Sequence, residues 1–213
     1  MKTYAISGLG TDDRIFSELV LDFELTILPW IKPEPKESFH EYALRFSERF
    51  NENEPFNLIG VSFGGMLAQE INQIKKAEKV ILVSSAISRT EIPLLFRIGL
   101  VLGIHKVLSG DTQPPEFLIS HYFGLKQQKH REMLKSIMND MDPDFLKWAL
   151  SKISTWNSPQ PSENLYRIHG TSDKILYCFS NHNTQLVKDS GHFVSVERAD
   201  EVSKLLNKMI QTS

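Results

Sequence analysis

Residues 57–66 read "NLIGVSFGGM": an apolar run, then a serine hemmed in by Gly60, Gly64 and Gly65. An ordinary strand or helix has no use for glycines on both sides of a serine. With one more residue upstream, "FNLIGV" reads as a buried strand, and "FGGMLAQEINQIKK" carries apolar residues at helical spacing. Ser62 therefore falls where a strand turns directly into a helix. Such a corner strains the backbone of its central residue and thrusts the hydroxyl clear of the sheet. Side chains two positions before and after would collide, so glycine is needed at 60 and 64. The pattern is G-x-S-x-G in the context that gives it meaning. It also leaves the Phe63 N–H at a helix start, without an intrahelical acceptor and open to an oxyanion. A phosphate-binding loop would show G-x-x-x-x-G-K-[ST] or G-x-G-x-x-G, and neither is present. An incidental serine in a glycine-rich turn is the other reading, and only the rest of the chain can weigh against it.

Outward from this corner, strands and helices alternate. "KTYAIS" (2–7) is a short apolar strand, and "TDDRIFSELVLDF" follows with Ile15, Phe16, Leu19 and Val20 at helical spacing. "ELTILPW" reads as a second strand, stopped by Pro29, Pro33 and Pro35. "SFHEYALRFSERF" is an amphipathic helix with Ser38 at its N-cap. "KVILVSSA" (79–86) is an uninterrupted apolar strand of the kind buried on both faces. Near the end "NLYRIHG" and "NTQLVKDS" read as strands and "SVERADEVSKLLNKMIQ" as a final helix. Together these predict an α/β fold, a mostly parallel sheet of about six strands with helices on both faces. Residues 87–156 break the rhythm with helical, partly apolar segments. They read as a helical lid inserted over the carboxyl edge of a single domain spanning 1–213.

With 41% hydrophobic residues among 213, the chain can bury a real core. A formal net charge of −2 gives no electrostatic case for nucleic acid or an anionic membrane surface. The single cysteine, Cys178, excludes an internal disulfide and fits a reducing compartment. "MKTYAISGLG" is interrupted too soon to be a secretory signal. "LLFRIGLVLGIHKVL" (94–108) holds Arg97, His105 and Lys106, so it suits a buried or lid helix better than a membrane span. The expected location is the cytoplasm.

A lone serine is a weak nucleophile; it needs a base, and the base needs an orienting acid. The chain supplies both in the order Ser, Asp, His. "IHGTSDKI" puts Asp173 just past a predicted strand, and "KDSGHFVSVE" puts His192 past the next. All three fall on loops at the carboxyl edge of parallel strands. With "GVSFGG", "HGTSD", "SGHF" and an N-terminal "SGLG", the chain resembles the α/β-hydrolase family over nearly its whole length. The resemblance implies a second oxyanion donor from the loop after the first strand, here the backbone of Leu9, flanked by Gly8 and Gly10. Ser7 stands where members of that family often carry histidine. Two strands that commonly precede the first are absent. Only 18 residues separate Asp173 from His192, where a whole helix is usual. Either "ILYCFSNHN" is a compact replacement loop, or the aspartate reaches the histidine by another path.

These readings predict a serine hydrolase acting on a carboxylic ester or thioester of a small to medium acyl substrate through an acyl-enzyme. Ser62, His192 and Asp173 would be catalytic, and the Leu9 and Phe63 N–H groups would bind the oxyanion. No cofactor or metal is expected, and oligomeric state is left open. A non-catalytic binding protein on the same fold, or C–C bond hydrolysis or perhydrolysis, are the alternatives. Asp140, Asp142 and Asp144 lack the glycine and distal glutamate of a calcium loop, and Asp142 before Pro143 suits a helix N-cap. His169 suits a structural hydrogen bond. His40, His105, His121, His130 and His182 have no acid or ligand pattern beside them and read as surface or lid residues. "KQQKHREMLK" reads as a solvated helix face. Leu94, Leu95, Phe96, Leu100, Val101, Phe117, Tyr122, Phe123 and Trp148 would pack the lid or line an acyl pocket.

Overall fold

The computed structural model describes residues 1–50, 54–94, 116–179 and 183–211. Six strands are present among them: β1 (Lys2–Ile6), β2 (Leu25–Ile27), β3 (Phe56–Val61), β4 (Lys79–Val83), β5 (Leu165–Gly170) and β6 (Thr184–Val187). They form one sheet in the order β2-β1-β3-β4-β5-β6, and every pairing is parallel. Alternate residues face opposite sides, as the two-residue period of a strand requires. Tyr4, Ile6, Leu58, Val80 and Leu82 join one apolar cluster. Ala5, Ile59, Val61, Ile81 and Val83 join another. Both faces are covered, which explains why these strands read as continuous apolar runs.

Helices α1 (Phe39–Ser47) and α2 (Phe63–Ile74) supply the first cluster. A capping box starts α1: the Glu41 N–H donates to Ser38 Oγ, and the Ser38 N–H donates to Glu41 Oε2. Between β4 and β5 lie α3 (Glu116–Phe123), α4 (Gln128–Asn139) and α5 (Pro143–Thr155). After β6 come α6 (Val194–Glu197) and α7 (Ala199–Gln211), which back the second cluster. No helix among the described residues is long and apolar enough to cross a membrane.

Several local expectations need correction. The helix anticipated over 11–23 is only a 3-10 turn, Asp13–Phe16. Beyond it the backbone is claimed from elsewhere. Ser203 Oγ accepts from the Val20 N–H, Asn207 Oδ1 accepts from the Asp22 N–H, and the Asn207 amide donates to the Val20 carbonyl. Those bonds to α7 replace the i→i−4 ladder that would have continued a helix. The last helix is broken at Arg198.

The "KQQKHREMLK" stretch is not a solvated face throughout, because His130 and Leu134 of α4 are buried. His130 has acids beside it after all: Nδ1 lies 2.7 Å from Glu197 Oε1, and Nε2 lies 3.3 Å from both oxygens of Glu18. Distant segments bring these carboxylates, so local sequence could not reveal them. His40 likewise has Glu70 at 3.8 Å, although its ring is exposed. Asp142 caps α5, accepting from the Asp144 and Phe145 N–H groups, while Asp140 pairs with Arg14. Leu94, Phe117 and Tyr122 are exposed rather than packed, whereas Phe123 and Trp148 lie against the two clusters. Leu95, Phe96, Leu100, Val101, His105 and His182 lie outside the described residues.

Candidate active site

Ile6 at the end of β1 is in register with Gly60 of β3, and β1 and β3 are where the strand order reverses. The loops after these two strands therefore emerge side by side, in the crevice where open parallel sheets bind ligands. Ser62 follows β3 as the N-cap residue of α2, with φ 51° and ψ −118°. That conformation is strained for a residue with a Cβ. Glycines allow it. A Cβ on Gly60 would stand 2.5 Å from Gly65 Cα, and one on Gly64 would stand 2.3 Å from the Ser7 carbonyl oxygen. The first turn of α2 is thus pressed against both its own strand and the end of β1. The corner is also tied from β4: the Ser62 N–H donates to the Val83 carbonyl, and Ser85 Oγ donates to the Ser62 carbonyl at 2.6 Å.

His192 Nε2 lies 2.9 Å from Ser62 Oγ, and its Nδ1 lies 2.7 Å from Asp173 Oδ2. The structure thus brings together three residues spread over 130 positions of sequence. Asp173 stands on the turn after β5. Its Oδ1 accepts from the Ile175 and Leu176 N–H groups at 2.8 and 3.0 Å, which fixes the carboxylate plane. Burial by itself would push this carboxyl up. The charge and hydrogen bond of His192, with the Leu176 amide, outweigh it, so Asp173 sits below the usual carboxylate value. His192 is on the loop after β6. A Cβ on Gly170 would stand 2.3 Å from the Ser190 carbonyl, so the acid and base loops run in backbone contact. The Phe193 N–H donates to the Phe123 carbonyl, and the Phe123 ring meets His192 nearly at right angles, 5.8 Å between centroids.

The short connection from Asp173 to His192 is a compact loop as far as residue 179, with no helix in it. The Tyr177 N–H donates to the Glu91 carbonyl and the Phe179 N–H to Glu91 Oε1. Asp173 reaches His192 directly. Sequence reading missed this anchor, because Glu91 lies in a different part of the chain.

On the other side of Ser62, the loop after β1 is rigidly held. The Gly8 carbonyl accepts from the Thr11 N–H at 3.1 Å, Thr11 Oγ1 at 3.0 Å and Trp30 Nε1 at 3.2 Å. Ser7 Oγ donates to the Thr11 carbonyl at 2.7 Å, closing the same turn without a histidine. A trans peptide points its C=O and N–H in opposite directions, so these bonds turn the Leu9 N–H to the opposite side. An added Cβ on Gly8 would stand 3.4 Å from Ser62 Cβ, which places this loop against the serine. The Phe63 N–H, at the first helical position, has no acceptor within α2.

Among the described residues, no group of three or more His, Cys, Asp or Glu side chains is arranged to hold a metal ion. Cys178 is half-buried, and burial pushes its thiol up, away from the range of a reactive thiolate.

No family model matches the sequence, and no curated protein matches it. Solved structures do match in three dimensions. A thermophilic esterase from Thermogutta terrifontis superposes with a TM-score of 0.73 at 12% identity, covering 99% of this chain and 89% of that one. A bromoperoxidase from Bacillus anthracis gives 0.70 at 15% identity over 99% and 92%. An enol-lactonase from Burkholderia xenovorans gives 0.70 at 14% identity over 99% and 92%. With the all-parallel sheet and its strand order, these similarities show that the chain has the α/β-hydrolase fold.

Proposed function

We propose that the protein is a serine hydrolase cleaving a carboxylic ester or thioester of a small to medium acyl substrate. The observation that carries this reading is the unbroken line from Ser62 Oγ through His192 to Asp173, at 2.9 and 2.7 Å. His192 Nε2 takes the hydroxyl proton as Ser62 Oγ attacks the acyl carbonyl carbon. Asp173 holds the Nδ1–H tautomer and stabilises the imidazolium. The oxyanion of the tetrahedral intermediate is received by the Leu9 and Phe63 N–H groups, each such donor contributing typically about 3–4 kcal/mol. His192 then protonates the departing alcohol or thiol, leaving an acyl-serine. Water, deprotonated by His192, attacks this ester; the acid leaves and Ser62 regains its proton.

Two further features support the reading. The strained Ser62 backbone presents a hydroxyl at the crevice between the β1 and β3 loops. Among the solved structures of like fold are proteins described as a thermophilic esterase and an enol-lactonase. A second reading, perhydrolysis, keeps the same acyl-enzyme and replaces water by peroxide. The similarity to a bromoperoxidase favours considering it. We take residues 1–213 as one domain with 87–156 as its lid, and the lone Cys178 fits a reducing compartment such as the cytoplasm.

A fluorophosphonate probe and p-nitrophenyl acetate test the proposal. Wild-type protein should label and turn over, and Ser62→Ala should do neither while remaining folded. Unchanged turnover in that variant would refute the assignment. A wild-type protein that never labels would favour a non-catalytic binding protein.

A further inference from the structure

His192 is not the only imidazole on Asp173. His169, near the end of β5, is fully buried, and its Nε2 lies 3.3 Å from Asp173 Oδ2. This is the same oxygen that His192 Nδ1 approaches at 2.7 Å. His169 Nε2 also lies 3.2 Å from the Leu176 carbonyl, which can only accept, so the proton must sit on Nε2. The other ring nitrogen, Nδ1, is buried with no hydrogen-bond partner among the described residues. Protonating it would bury a cationic N–H without an acceptor. Burial accordingly pushes His169 below its ordinary value; Asp173 opposes that, while Arg167 and His192 add to it. The ring is thus neutral, in one tautomer, with its Nε2–H donated to the Leu176 carbonyl and Asp173 Oδ2 3.3 Å from the same nitrogen.

The two oxygens of Asp173 are differently engaged. Oδ1 is taken by the Ile175 and Leu176 amides, and Oδ2 faces both histidines. The other charged and titratable groups nearby are Arg167, Glu91 and Cys178. Arg167 is bound to Glu91, and the Cys178 thiol is raised by burial and stays neutral. The partly positive Nε2–H edge of His169, 3.3 Å from Oδ2, draws charge from the oxygen that supports the His192 imidazolium.

We infer that His169 is a positioning residue: through Asp173 it holds the carboxylate in place and limits its pull on His192, setting the pH at which His192 is free to act as a base. The inference rests on the hydrolase reading and goes beyond it. Removing the N–H would leave more charge on Oδ2, stabilise the imidazolium and raise the pH at which the base becomes available.

A matched pair of variants tests this in the full chain. His169→Gln keeps an N–H near the Nε2 position, whereas His169→Met has similar length and no donor. The readout is the acid limb of kcat/KM for p-nitrophenyl acetate between about pH 5 and 9. His169→Gln should retain the wild-type limb, and His169→Met should move it to higher pH. A His169→Met limb that coincides with wild type, or a His169→Gln limb displaced as far, overturns the inference. If His169→Met does not fold, imidazole nitrogen and proton NMR of the wild type decides. A neutral, Nε2-protonated His169 that persists while His192 titrates supports the role; a His169 that gains a proton in step with His192 overturns it. Failure of the hydrolase reading looks different: the wild type would neither label with fluorophosphonate nor turn over ester, whatever the state of His169.

Discussion

Arg167 Nη1 lies 2.8 Å from Glu91 Oε2 in an ion pair that is almost completely buried, and Glu91 accepts from the Tyr177 and Phe179 N–H groups that follow Asp173. Arg167 Nε also donates to Thr184 Oγ1 on β6, and Glu91 receives the Ile87 and Phe179 N–H groups. The pair therefore ties three segments into the short connection between acid and base. Arg167→Met should remove the guanidinium paired with the buried Glu91 carboxylate and cost about 3–5 kcal/mol. In a chain of this size that lowers Tm by about 10 °C. The double variant Arg167→Met/Glu91→Leu should recover most of the loss, because it removes both charges. Calorimetry of the two variants checks this, and equal instability in both would contradict it.

Gly64 offers a test of the corner. Gly64→Ala would force a methyl into the Ser7 and Ile6 carbonyl oxygens, at 2.3 and 2.5 Å, and backbone cannot yield as a side chain can. The expected loss is about 1–3 kcal/mol of stability. Because the displaced strand end leads into the Gly8–Leu9 loop, fluorophosphonate labelling of Ser62 should slow as well. Urea melts and labelling rates report the two effects separately.

Trp30 isolates the loop's orientation from its bulk. Trp30→Phe keeps an aromatic ring against Phe63, now 5.4 Å between centroids, but removes the indole donor to the Gly8 carbonyl. One such hydrogen bond is worth about 0.5–1.5 kcal/mol, so kcat should fall about two- to ten-fold with KM little changed. A rise in KM alone would mean that Trp30 serves substrate binding and not the oxyanion loop.

Stability should depend on pH in two windows. His169 has a folded value below its ordinary 6.5, so its contribution is complete above 6.5. As pH falls from there, the unfolded chain takes a proton that the folded one refuses, and stability declines. Asp173, below its ordinary 3.8, contributes fully above 3.8 and loses that contribution as pH falls through its folded value. Melting temperatures across pH should therefore decline less steeply below 6.5 for His169→Gln than for wild type. Asp173→Asn should lack the second, more acidic decline.

Much of the fold was legible because its signals are local. The strand–corner–helix at Ser62 depends on neighbouring glycines. The α1 capping box needs only Ser38 and Glu41, and the Asp142–Pro143 start of α5 needs only two adjacent residues. The failures share a different cause. Residues 11–23 have helical spacing, yet Ser203 and Asn207 take the backbone bonds that a helix would use. His130 shows no acid beside it in sequence, yet Glu18 and Glu197 converge on its ring.

The sequence by itself determined that strands alternate with helices, where the turns fall, and that Ser62, Asp173 and His192 occur in that order at strand ends. Those facts follow from periodicity and from backbone demands within a few residues. Only the tertiary structure decided the distances at which they meet, the Arg167–Glu91 anchor that makes the short acid-to-base connection possible, and the second histidine on Asp173. Each of these depends on how distant strands stand in register, and burial then strengthens electrostatic contacts whose partners no local pattern can name.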